Sequence, residues 1–123
     1  MTLAFGVAAQ TMREMGIIAG GNNDCPITYY SPFVQMYAAV TRKTQSGKVI
    51  GPEEAISLKE AIRLYTWNGA YLAKEEDRLG SIEPGKLADL VVIDRDIFSL
   101  PAEELLETKV LMTIVGGKTV YER

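Results

Sequence analysis

At Gly80 the spacing of apolar residues changes, and no single repetitive architecture accommodates both sides of that change. Before it, apolar residues recur at three- and four-residue steps, the spacing of one helical face. After it, turn residues separate short runs rich in β-branched side chains: "ADLVVID" at 88–94, "KVLMTIV" at 109–115 and "KTVYE" at 118–122. Gly116 and Gly117 divide the last two runs. That pair suits a two-residue hairpin turn needing positive φ, so a hairpin over 109–122 is expected. A short helix is predicted to open at Pro101. The chain is therefore read as α+β, with a mostly helical segment at 1–79 and a β-rich tail at 80–123. With 123 residues it is the size of one ordinary domain.

Within the first segment, Leu3, Val7, Ala8, Met12 and Met15 predict a helix over 3–15, stopped by Gly16. "IIAG" at 17–20 reads as a short buried strand opening into the polar loop "GNNDCP". Ser31 and Pro32 mark a helix start, and Phe33, Met36, Tyr37 and Val40 share its apolar face. That helix should end near "TRKTQSGK". Ser57 and Glu60 have capping-box spacing and open a further helix, predicted to run to about 74 with Asn68 and Gly69 interrupting its register.

Composition narrows the function. The net charge is -3, and Arg42, Lys43 and Lys48 form the only local basic cluster, which argues against nucleic acid as a partner. No apolar stretch reaches the roughly 18 residues that span a bilayer, so no membrane role is expected. Cys25 is the single cysteine and suits a reducing cytoplasm. There is no histidine. Serine triads and a histidine-activated cysteine therefore lack their base, and Cys25 is expected to be a buried or half-buried packing thiol. A zinc site needs about four ligands, more than one cysteine beside one aspartate can provide.

Asp24 is the sharpest candidate for chemistry. Just past the end of a strand, an aspartate can ligate a metal or move a proton, although on pattern alone such a residue more often forms a turn or caps a helix. Glu75, Glu76 and Asp77 read as a solvated helix end, because neighbouring side chains diverge. Tyr29, Tyr30 and Phe33 either line an apolar pocket beside Asp24 or belong to the core.

The segments "GSIEPGKLADLVV" and "VLMTIVGGKTVYE", with "MREMGIIAGGNNDCP" and "ISLKEAIRLYTWNGAYLA" upstream, resemble the amidohydrolase superfamily. Within it, the likeness is to the branch of N-substituted formamide deformylase-like and exoenzyme-regulator-like enzymes, and it covers essentially the whole chain. The resemblance implies a (β/α)₈ barrel with a small composite β-sandwich, of which this chain would supply the last strand and helices plus the C-terminal sandwich strands. It implies hydrolysis of C–N bonds in amides or cyclic amides by a divalent metal, zinc being expected. Asp24 with Pro26 matches the family's last-strand aspartate, which binds the metal and transfers the proton, with Asn22 and Asn23 where glycine and serine are usual. The family's other ligands, histidines and a modified lysine or equivalent acid, have no counterpart here. The isolated chain is thus expected to be a catalytically silent C-terminal segment, self-associating or joined to a partner chain that carries the rest of the barrel. The alternatives are a non-catalytic dimerisation module and one half of a split hydrolase.

Overall fold

The structure, a computed structural model, describes residues 8–123. Four helices come first: α1 (Ala9–Glu14), α2 (Pro32–Thr41), α3 (Leu58–Leu64) and α4 (Trp67–Leu72). Three strands follow, β1 (Leu90–Ile93), β2 (Val110–Val115) and β3 (Lys118–Glu122), with 3₁₀ turns at Pro52–Glu54 and Ala102–Glu107. Among the described residues the four α-helices precede Gly80, and the three strands and the second 3₁₀ turn follow it.

Helix boundaries follow local chemistry in most places. Gly16, at φ 72, ends the first helical stretch; the part of that predicted helix at 1–7 lies outside the described residues. Pro32 takes the first position of α2, but the Ser31 side chain makes no capping bond, so the proline's fixed φ rather than a cap sets this start. The Ser57–Glu60 capping box is complete: the Ser57 hydroxyl accepts from the Glu60 N–H at 3.3 Å, and Glu60 accepts from the Ser57 N–H at 2.9 Å. The helix expected from 58 to 74 is two pieces. It breaks at Tyr65 and Thr66, ahead of Asn68, where Thr66 has φ -126 and ψ -97 and its hydroxyl donates back to the Ile62 carbonyl at 3.0 Å.

Gly80, at φ 88, then lets the chain pass α4 closely. A Cβ there would stand 2.8 Å from both the Ala70 Cβ and the Trp67 Cα. The short helix expected at Pro101 is the 3₁₀ segment Ala102–Glu107, and its Leu105 is the most deeply buried large side chain among the described residues, 1% exposed.

The sheet is antiparallel in the order β1-β2-β3. Leu90 stands opposite Ile114, Val91 opposite Thr113 and Val92 opposite Met112, with a register shift before Ile93 and Val110. The hairpin between β2 and β3 turns through Gly116 and Gly117, at φ 55 and 78, as the glycine pair requires. Asp89 accepts from the Gly116 N–H at 2.7 Å, tying the turn to the start of β1. At the other end of β1, Arg95 beside Asp94 holds that carboxyl well below the usual carboxylate range, and Asp94 also accepts from the Lys109 N–H at 3.0 Å.

The core gathers Met36, Tyr37 and Ala39 of α2, Ile56, Ala61 and Leu64 around α3, and Ile97 and Leu105 beyond β1. It sits in the helical part. Among the described residues the sheet carries exposed apolar side chains on every strand, including Val91, Val115 and Val120. Residues 17–20 form no strand, contrary to expectation. A strand exists only through pairing, and no other described segment runs beside this one as a ladder. Helix side chains and backbone hold it instead: the Asn68 amide donates to the Ala19 carbonyl at 2.8 Å, and the Gly21 N–H donates to the Leu64 carbonyl at 2.8 Å.

Candidate functional site

The loop from Asn22 to Tyr30 leaves α3 and α4 at a point where two glycines permit close approach. A Cβ on Gly20 would meet Leu72 at 3.1 Å, and one on Gly21 would lie 2.5 Å from the Tyr65 ring. Tyr65 is thus pressed under Gly21, the residue just before the loop. Its hydroxyl is buried without a hydrogen-bond partner among the described residues, and burial pushes its pKa up to about 12.

Asp24 occupies the left-handed region, φ 47. Aspartate tolerates that conformation better than most side chains, and the Asn22 side chain assists by accepting from the Asp24 N–H at 2.6 Å. The Asp24 carbonyl accepts from the Ile27 N–H at 2.8 Å, across a turn that contains the cis Cys25–Pro26 bond. Both hydrogen bonds that Asp24 makes among the described residues thus use its backbone. Among the described residues its carboxylate has neither a hydrogen bond nor an ion pair, and the residue is exposed. That carboxylate is available to accept a proton or to offer an oxygen to a cation.

The loop closes through side chains. The Asn23 amide donates to the Tyr29 carbonyl at 2.9 Å, and the Thr28 hydroxyl donates to the Asn23 carbonyl. Gln35, buried on α2, donates through its amide to the Thr28 oxygen at 3.1 Å. Sequence reading passed over Gln35 because it lies beside Met36 and Tyr37 with no motif to mark it. Its one signal is a polar residue next to an apolar helical face.

Other expected site residues take different places. Cys25 is exposed rather than a packing thiol, because the turn at Asp24 carries it to the surface. Tyr29 and Tyr30 are exposed, while Phe33 packs against the core, so the three do not line one pocket. A cavity of about 550 Å³ lies instead between α1, residues 16–20 and α3, lined by Met12, Ile17, Ile18, Leu64 and Trp67 among others. The Arg63 guanidinium sits 4.1 Å over the Trp67 ring at its edge. None of residues 22–30 lines this cavity.

The acidic run is also only partly solvated. Glu75 pairs with Arg78 at 3.0 Å, but Glu76 is half-buried and one of its carboxylate oxygens is enclosed without a partner among the described residues. Lys43, of the basic cluster, pairs with Glu103 at 2.9 Å.

A divalent metal needs several ligands converging on one point, and no group of three or more His, Cys, Asp or Glu side chains does so among the described residues. The residues present do not by themselves fit a metal centre. Asp24 offers one ligand at most. Nor is any described helix long and apolar enough to cross a membrane.

The sequence profile of the amidohydrolase family matches residues 4–121. The N-substituted formamide deformylase of Arthrobacter pascens is 40% identical over 114 residues, a match covering 93% of this chain and 21% of that protein. The YtcJ protein of Bacillus subtilis is 32% identical over 119 residues, covering 94% of this chain and 22% of that one. The crystal structure of an amidohydrolase from Thermotoga maritima superposes with a TM-score of 0.71 at 26% identity, over 94% of this chain and 26% of that chain. The chain spans about a fifth of the length of the curated relatives it matches. A match running through the helices, the Asp24 loop and the hairpin alike leaves one conclusion: the chain belongs to the amidohydrolase family.

Proposed function

We propose that this chain supplies the C-terminal part of a metal-dependent amidohydrolase that hydrolyses C–N bonds of amides or cyclic amides, and that Asp24 is its contribution to the active site. The observation that carries the reading is the Asp24 loop: the backbone is bound at both N–H and C=O while the carboxylate has no partner among the described residues. Such a group is held in place yet available to hold or move a proton. The 40% identity to a formamide deformylase supports the C–N bond as the target. In this reading a divalent metal, zinc by expectation, depends on ligands from outside these residues. The chain alone is inactive. In that reading the described helices before Gly80 belong to the C-terminal end of the barrel, and 80–123 to a composite β-sandwich.

The test is complementation. The chain is co-expressed with the Arthrobacter pascens deformylase lacking its own matching segment, and zinc content and formamide hydrolysis are measured. Recovery with the wild-type chain and loss with Asp24→Asn is the expected result. Equal recovery by both variants overturns the role of Asp24; no recovery with wild type overturns the completion reading.

A dimerisation module is the second reading, favoured by the exposed apolar side chains on all three strands. Bare faces and open edges of that kind invite a second chain. Size-exclusion chromatography with light scattering at micromolar concentration should then give a dimer or larger species, and a monomer would contradict it.

A further inference from the structure

Gln35 is 5% exposed, the one buried polar residue among the described residues. Burying an amide is unfavourable unless its hydrogen bonds are made, so the direction of those bonds is informative. The Gln35 amide donates to the Thr28 oxygen at 3.1 Å. A hydroxyl has one proton, and Thr28 directs its own to the Asn23 carbonyl. That carbonyl belongs to the peptide joining Asn23 to Asp24. The N–H of the same peptide is held by Asn22 at 2.6 Å, so the peptide that launches Asp24 is fixed on both sides.

We infer that Gln35 is a positioning residue for Asp24: its amide orients the Thr28 hydroxyl, which clamps the Asn23 carbonyl and sets the direction in which the Asp24 carboxylate leaves the loop. The importance of that direction rests on the role proposed for Asp24, but the relay itself does not. Its polarity matters. A group at 35 that can only accept would draw the Thr28 proton to itself and release the Asn23 carbonyl, even with shape and size retained.

Amide hydrogen exchange on the 123-residue chain tests the relay, with α3 as internal reference. Gln35→Leu, Gln35→Glu and Thr28→Val are expected to speed exchange at Asp24 and Ile27 about tenfold, the order expected for one lost hydrogen bond, with α3 unchanged. Thr28→Ser, which keeps the hydroxyl, should preserve wild-type protection. Unchanged loop exchange in Gln35→Leu and Thr28→Val, or equal acceleration in loop and α3, overturns the inference. In the complementation assay, Gln35→Leu should lower kcat with KM little changed. A loosened loop with full kcat also overturns it, whereas full activity of Asp24→Asn defeats the proposed function independently of the exchange result.

Discussion

Gly21 and Tyr65 lie so close that a Cβ on the glycine would stand 2.5 Å from the tyrosine ring, while the Gly21 N–H is bonded to Leu64, the residue before that tyrosine, at 2.8 Å. The start of the Asp24 loop is therefore seated on α3 by an absent side chain. Gly21→Ala is expected to destabilise the chain by about 1–3 kcal/mol through overpacking. Urea unfolding measures this. Adding Tyr65→Leu should recover part of the loss, because the two sites share one contact; strictly additive losses would show that the clash is not the cause.

The Tyr65 hydroxyl is a buried donor without a partner among the described residues, so removing it should relieve the chain. Tyr65→Phe is expected to raise stability by about 1 kcal/mol. Its pKa is raised in the folded state, to about 12 from an ordinary 10.0. The neutral form's contribution is then complete below pH 10 and is lost as pH rises toward 12, because only the unfolded chain ionises readily there. Thermal unfolding across that window should show a steeper decline for wild type than for Tyr65→Phe.

Glu60 gives the opposite pH dependence. Hydrogen bonds from the Ser57 hydroxyl and backbone hold its carboxyl below the ordinary value of 4.5. The stabilisation is present above that value and is lost as pH falls through the depressed one. Ser57→Ala should cost about 1 kcal/mol at neutral pH, or roughly 4 °C in Tm. The gap between variant and wild type should narrow toward pH 3, and a gap independent of pH would count against the capping box as its source.

Leu105, in the 3₁₀ segment beyond β1, is 1% exposed and belongs to the same core cluster as α2 and α3. Leu105→Ala should cost about 2–5 kcal/mol, a large share of what a domain of this size has in total. A displaced urea midpoint measures it. A loss below about 1 kcal/mol would mean that the segment is not integral to the core.

The sequence alone determined what depends on a few neighbouring residues. Gly116 and Gly117 specify the hairpin turn, because few other residues adopt positive φ twice in succession. Ser57 and Glu60 specify the start of α3 because each satisfies a backbone or side-chain group of the other. The family resemblance was legible for the same reason: its motifs are contiguous strings, and they identified Asp24 as the residue of interest. Tertiary structure decided what depends on residues far apart. "IIAG" carries the β-branched signal of a strand yet forms none, since a strand needs a neighbour that no local pattern supplies. Cys25 is exposed because the left-handed turn at Asp24 determines where it points. Gln35 was silent in sequence: its link to Asp24 spans only a few residues, but it depends on the path of the loop placing the Thr28 hydroxyl against a buried amide, and no motif encodes that path.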